Sequence, residues 1–394
     1  VPATTLRQQF LRHNAQTSSF PLLLEFVKAE GCFLYAADGS RCMDLISGIG
    51  VSNLGHGNPE IRDAAKAQID AYMHQMVYGE FVVAPQVEFA AKLAGVLPPS
   101  LNSIYFVNSG TEAAEGAMKL ARRYTGRSEI LGFVDSYHGS TLGALSIMGN
   151  ETYKTAFRPL LPSVGFLRLN IDSELDKIST DTAAIFLETI QGESGVQVPS
   201  GSFMRRLRQR CSETGTLLVL DEIQCGLGRT GSLFAFDHYR IVPDILLLAK
   251  SLGGGMPLGA FISSAGIMNS LTASPVLGHI TSFGGHPVSC AAGLAALTVL
   301  LREEIIQKVE EKSRLFASLL NHPAILEVRR KGLLIGVQFS DFDFNKRVID
   351  ACINKGVLVD WFLHESSAMR ICPPLIISQE EIHWACQVIL EVLA

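Results

Sequence analysis

No apolar run in this 394-residue chain approaches the roughly 18 residues of a membrane span. The longest, Ala291–Leu301, is rich in small residues and reads as a buried helix. A basic excess is missing too. Lys+Arg number 33 against 38 Asp+Glu, a net charge of −5 that argues against a nucleic-acid partner. None of the eight cysteines (Cys32, Cys42, Cys211, Cys225, Cys290, Cys352, Cys372, Cys386) forms C-x-x-C, so neither zinc nor a disulfide framework is indicated. The N-terminus carries Arg7 and Arg12 and no acid before Glu25, as transit peptides do, but it lacks the apolar core of a signal peptide. A cytoplasmic protein is expected. Internal repeats and low-complexity stretches are absent, as are the P-loop, G-x-S-x-G and H-E-x-x-H motifs, and the ten histidines show no metal-ligand clustering.

What is present is a large apolar inventory. Hydrophobic residues make up 47% and charged residues 18%, enough to bury a sizeable core. An Asp38-Gly39 turn inside Phe33–Leu45 predicts a hairpin, and Gly48–Pro59 a glycine- and asparagine-rich loop. Ile61–Met73 and Pro85–Val96 read as helices. Then short apolar runs recur at Ser103–Val107, Ile130–Val134, Val164–Leu169, Ala183–Leu187, Thr216–Leu220, Ile245–Ala249 and Ala260–Ser263, with helical stretches such as Glu112–Tyr124 and Ser202–Thr214 between them. Continuous apolar strands separated by helices predict a mostly parallel sheet covered on both faces. After a helical Ala291–Val309 the pattern changes. Leu326–Phe339 is strand-like with a break at Gly332, Asn345–Lys355 is helical, Val357–Asp360 and Met369–Cys372 are strands, and Glu380–Leu393 closes the chain. The expected division is an N-terminal segment 1–47 packing with a small domain, a large domain 48–290, and a C-terminal small domain 291–394.

Ligands bind beyond the carboxyl ends of strands in open parallel sheets. Asn108, Asp135, Glu188, Asp221 and Lys250 end five of the apolar runs, so polar groups converge on one edge. Acids and a lysine there are costly unless paired or used. Ser109-Gly110-Thr111 opens a helix and offers N–H groups and hydroxyls to a phosphate; Ser109 with Glu112 equally reads as a capping box. Lys250 precedes a Gly253-Gly254-Gly255 run; in an apolar pocket its amine becomes a nucleophile, and snorkelling from a strand end is the plainer alternative. Gly226-x-Gly228-x-x-Gly231 matches a dinucleotide fingerprint in the wrong context, since no long helix follows.

NSGTEAAE at 108–115, Tyr137-His138-Gly139, Gln191-Gly192-Glu193, DEIQ at 221–224, GRTG at 228–231, Lys250, TSFGGHP at 281–287 and RICPP at 370–374 together resemble the class III pyridoxal-phosphate aminotransferases, with the ornithine, acetylornithine and 4-aminobutyrate enzymes among them. The resemblance implies a fold-type-I α/β architecture: a large seven-stranded, mostly parallel sheet domain and a smaller α+β domain. It implies that Lys250 carries pyridoxal 5'-phosphate covalently and shuttles a proton, that Asp221 pairs with the ring nitrogen, that Tyr137 and Ile223 cover the ring faces, and that Gln224 bonds the ring hydroxyl. Ser109, Gly110 and Thr111 would hold the phosphate, with His138 and Glu188 also at the cofactor. Ser282 would reach the phosphate from the second subunit of a homodimer. Arg370 would clamp the carboxylate of glutamate or 2-oxoglutarate, and Glu193 would pair with Arg370 while an ω-amine donor is bound. Arg229 is equally readable as structural. Acetylornithine aminotransferases carry an Arg after the aromatic-His-Gly; here the residue is Ser140, which disfavours acetylornithine as donor. Ser194 beside Glu193 would narrow the pocket. The alternatives are a mutase or decarboxylase on the same fold, a non-catalytic paralogue, and a nucleotide-binding oxidoreductase.

Overall fold

The computed structural model of the chain describes residues 5–394. All seven apolar runs become strands of one sheet, within two residues of their expected bounds. Its order is Ser103–Val107, Gly259–Ser263, Ile245–Leu248, Leu217–Asp221, Thr182–Glu188, Glu129–Phe133, Val164–Leu167. Gly259–Ser263 runs antiparallel to both neighbours, and the other pairings are parallel. The central strands Thr182–Glu188, Leu217–Asp221 and Ile245–Leu248 are buried at every residue. That explains why they read as unbroken apolar runs without alternation.

Helix Gly110–Thr125 packs on one face through Ala113, Ala117 and Ala121. Small residues let it approach closely: a Cβ on Gly116 would lie 2.3 Å from the Phe261 ring. Helix Gly201–Thr214 covers the other face, capped by Ser200 at its start and ended by Gly215 in the left-handed conformation. Helix Pro287–Arg302 lies against helices Pro59–Ala71 and Ala84–Ala94. The helical stretch read as Ala291–Val309 is two helices. The first ends at Arg302, Glu303 is extended, and a second runs Val309–Leu319.

Two smaller sheets complete the molecule. Lys28–Glu30, Phe33–Tyr35 and Arg41–Asp44 form an antiparallel meander, and Val357–Leu358 joins its edge in parallel. The second sheet is antiparallel, in the order Glu327–Lys331, Leu334–Gln338, Ala368–Ile371, Asp360–Trp361. Gly332, at φ +58°, turns its first hairpin. The run Val357–Asp360 is therefore not one strand. Val359 separates a piece in each sheet, and this places Asp360 opposite Arg370. All eight cysteines are buried free thiols. Among the described residues no helix is long and apolar enough to cross a membrane.

Candidate active site

The carboxyl ends of the parallel strands open into a cavity of about 540 Å³. Four of the five strand-end residues line it: Asn108, Glu188, Asp221 and Lys250. Asp135 does not. It turns away at φ +60°, and its carbonyl accepts a 2.9 Å hydrogen bond from His364 Nδ1.

Asp221 lies on the floor, 3% exposed. Its Oδ2 is 2.7 Å from Nδ1 of the buried His138, and its Oδ1 accepts from the Ile223 N–H at 2.9 Å. These bonds hold a buried carboxylate in one orientation, and a protonated ring nitrogen is the partner such a group suits. Gln224 donates through Nε2 to Glu193 at 3.1 Å, while its Oε1 is buried without a partner. An orphan acceptor there fits a ligand hydroxyl. Gly192 makes room for that amide, since a Cβ would fall 1.6 Å from Gln224 Oε1.

Helix Gly110–Thr125 points its N-terminus at the cavity, and Ser109, Gly110 and Thr111 line the wall. Half of the expected capping box forms. Ser109 Oγ accepts from the Glu112 N–H at 3.3 Å, but the Glu112 carboxylate takes the Asn108 N–H at 2.7 Å and its amide at 2.9 Å. The first-turn N–H groups of Gly110 and Thr111 have no intrahelical acceptor, which leaves them for an anion. A Cβ on Gly110 would press on the Ile223 side chain at 2.9 Å, and one on Gly139 on Thr111 Oγ1 at 2.3 Å. This cradle, the Asp221 carboxylate, the orphan Gln224 oxygen and the Lys250 amine together match the phosphate, ring nitrogen, hydroxyl and aldehyde of pyridoxal phosphate.

Lys250 sits at φ +52° at the end of its strand and faces both this cavity and a second one of about 570 Å³. Loss of hydration pushes its ammonium below the ordinary lysine range, against the attraction of Glu193. Tyr137 and Glu193 also border both spaces. Glu188 accepts the Tyr137 N–H at 2.8 Å and the Gly192 N–H at 3.0 Å, tying two loops of the wall together. Its burial raises the carboxyl to about 7.

Arg370 is 2% exposed and fully engaged. Its Nη1 and Nη2 reach Glu193 at 2.7 and 3.1 Å, its Nε reaches Asp360 at 3.0 Å, and Nη2 also donates to the Trp361 carbonyl at 3.0 Å. Burial opposes ionisation of Glu193, but the Arg370 and Lys250 charges overcome it and hold the carboxyl at about 2. At Asp360 burial wins and the value rises to about 6. The Leu363 N–H gives Glu193 a further bond at 3.1 Å, and Tyr153 Oη holds the Leu363 carbonyl at 2.8 Å. Asp360, Tyr153 and Leu363 were not among the residues expected from sequence. Asp360 was within reach of the strand-end argument, since it closes an apolar run as Asp221 does.

Ser282 does not line its own chain's cavity. It is exposed, next to Thr281, whose hydroxyl accepts from Asn108 Nδ2 at 3.1 Å. Ser140 lines the cavity with its Oγ 3.3 Å from Tyr137 Oη, and the Ser194 hydroxyl beside Glu193 is buried without a partner. The Gly226–Gly231 run is a series of turns with no long helix after it.

Arg229 is fully buried away from the cavity, and donates to the Leu333 and Pro373 carbonyls at 2.9 and 2.5 Å and to Asn53 Oδ1 at 2.6 Å. It fixes the segment that leads from Arg370 into the loop at Asn53. Arg229→Met would leave three acceptors buried without donors, for an expected loss of roughly 3 kcal/mol in urea unfolding. Arg229→Lys would recover little of it, because one ammonium cannot span the fork.

A family model described as aminotransferase class-III matches residues 14–393. The acetylornithine aminotransferase of Methanopyrus kandleri is 37% identical over 378 residues, 95% of this chain and 94% of that one. The [LysW]-aminoadipate semialdehyde/glutamate semialdehyde transaminase of Sulfolobus acidocaldarius is 37% identical over 374 residues, covering 93% and 94%. Among solved structures, the ornithine aminotransferase of Toxoplasma gondii superposes with a TM-score of 0.90 at 29% identity over 99% of this chain and 94% of that one. The adenosylmethionine-8-amino-7-oxononanoate aminotransferase of Methanocaldococcus jannaschii does so with a TM-score of 0.90 at 26% identity, over 98% of each. Matched by the family model over nearly its whole length, and by relatives of more than a third identity, this chain belongs to the class III pyridoxal-phosphate-dependent aminotransferases.

Proposed function

We propose that the enzyme moves an amino group from an ω-amine donor to a 2-oxo acid in two alternating half-reactions. The observation that carries this reading is the Arg370–Glu193 pair, bidentate and buried within the cavity that Lys250 faces. With the pair closed, Arg370 is neutralised and the site suits an amine end without a carboxylate. With Glu193 swung aside, the guanidinium is free to take the 1-carboxylate of an amino acid or oxo acid. 2-Oxoglutarate, giving glutamate, is the acceptor that the motif resemblance implies. Arg370 accounts for its 1-carboxylate and leaves its 5-carboxylate without a counter-ion.

Bound pyridoxal phosphate supplies the electron sink that makes the substrate's C–H acidic. The rest falls to the chain. Lys250 Nζ, its charge disfavoured by desolvation, would take that proton and pass it on. Asp221, braced by His138, would hold a proton at the ring nitrogen. Tyr137 and Ile223 would flank the two faces of the ring, and Gly110 and Thr111 would anchor the phosphate. Ser282 lies on a surface with exposed Val276, Leu277, Ile280 and Phe283, which supports a homodimer in which it serves the partner's phosphate. The packing of the N-terminal segment with the C-terminal small domain is supported by the pairing of Arg41–Asp44 with Val357–Leu358.

The test is visible absorption of the cofactor-loaded protein. L-Glutamate or L-alanine is expected to bleach the band, and 2-oxoglutarate or pyruvate to restore it. A band that neither amino acid bleaches would leave the mutase and decarboxylase readings in front.

A further inference from the structure

The two cavities that meet at Lys250 are short of positive charge. Among the described residues, Lys250 and Arg370 are the only Lys or Arg side chains lining either. Lys250 is the reacting amine. Arg370 has every nitrogen engaged by Glu193, Asp360 and the Trp361 carbonyl. The nearby imidazoles add nothing. His138 lies beneath Asp221, and His364 has Nδ1 on the Asp135 carbonyl and Nε2 buried. Around the second cavity the walls are apolar, formed by Phe20, Leu22, Val359, Trp361 and Leu363.

Two exposed apolar segments that a second copy could bring to the mouth do not mend the deficit. They run from Ile69 to Val82 and from Val276 to Phe283. No Lys or Arg occurs between Lys66 and Lys92, nor between Lys250 and Arg302. A partner docked through these two segments would therefore bring hydroxyls, imidazoles and apolar groups to the mouth.

One guanidinium can neutralise one carboxylate. A second carboxylate would enter an apolar wall with no counter-ion, which costs binding unless it stays hydrated. We infer that the site takes one substrate carboxylate at most. The acceptor is a monocarboxylic 2-oxo acid of the pyruvate class, and the amine donor, bound while Glu193 occupies Arg370, carries an uncharged apolar tail. This rests on the amino-transfer reading and narrows its substrates.

The experiment compares second-order rate constants for single half-reactions of the holoenzyme, read by absorption. The pyridoxal form is mixed with L-alanine or L-glutamate, and the pyridoxamine-phosphate form with pyruvate or 2-oxoglutarate. The one-carboxylate member of each pair is expected to react about ten-fold faster or more. Butylamine is expected to outrun 4-aminobutyrate in the same way. Ser140→Arg places a cation at the cavity wall and is expected to move the alanine-to-glutamate ratio at least about ten-fold toward glutamate. Glutamate and 2-oxoglutarate matching or exceeding alanine and pyruvate in the wild type would overturn the inference and leave amino transfer standing. Inertness toward both pairs would remove the amino-transfer reading itself. The wild-type comparison decides the matter even where Ser140→Arg fails to fold.

Discussion

Lys250→Ala is expected to abolish covalent retention of pyridoxal phosphate and to lower turnover by on the order of 10⁴-fold or more. The reason is positional as well as chemical. Among the described residues Lys250 is the one amine that faces both cavities, between the Asp221 floor and the Arg370–Glu193 pair. The backbone there is strained as well. The residue sits in the left-handed region at φ +52°, an unfavourable place for any residue with a Cβ, and desolvation further disfavours its charge. Alanine inherits the backbone strain and removes the desolvated amine. The melting temperature of the cofactor-free variant should therefore equal or exceed that of the wild type while activity vanishes. Borohydride reduction followed by mass spectrometry checks the first claim: the wild type should retain the cofactor's mass on the peptide containing residue 250, and the variant should not. A large fall in melting temperature with residual turnover would mean that Lys250 is a structural strand-end lysine instead.

Much of this site was legible because its positions are dictated by backbone layout. A strand buried on both faces must be apolar throughout, so the residue that ends it stands out, as Asn108, Glu188, Asp221 and Lys250 do. The same argument placed Asp135 at the cavity, wrongly. A strand end fixes where a Cα lies, while a left-handed turn at the next residue decides where the side chain goes, and Asp135 at φ +60° points elsewhere. Asp360 escaped for a related reason. Read as one strand, Val357–Asp360 gives no hint that Val359 hands the chain from one sheet to another and sets Asp360 against Arg370. The clasp on Glu193 from Leu363, itself held by Tyr153, joins segments about two hundred residues apart and has no periodicity to betray it. Ser282 is a different case. Its motif is plain in sequence, but its own cavity lies elsewhere, so any role at the cofactor needs the surface of a second molecule.

Arg370→Gln is expected to divide the two half-reactions. The carboxylate-bearing oxo acid loses a charge-assisted bidentate partner, which should lower its kcat/KM by about 10²–10³-fold, while the amine half-reaction, which uses Arg370 only as a partner for Glu193, should fall by roughly ten-fold or less. Stability should suffer as well, by about 3–5 kcal/mol near neutral pH, because Glu193 and Asp360 both lose their counter-ion. The pH dependence carries the sign. In the wild type Arg370 and Lys250 depress Glu193 to about 2, so its contribution is present above the ordinary carboxyl value and is lost only as pH falls through about 2. Without the guanidinium, desolvation, already the largest influence on both acids, raises them. A carboxyl raised in the folded state stabilises below its unfolded value and loses that stability as pH climbs through its folded one. The gap between variant and wild type should therefore be narrow near pH 5 and widen toward pH 8, as measured by urea unfolding across that range. A gap that stays constant, or that narrows with rising pH, would show that neither Glu193 nor Asp360 depends on Arg370 for its charge, and the gate would have to be sought in other residues.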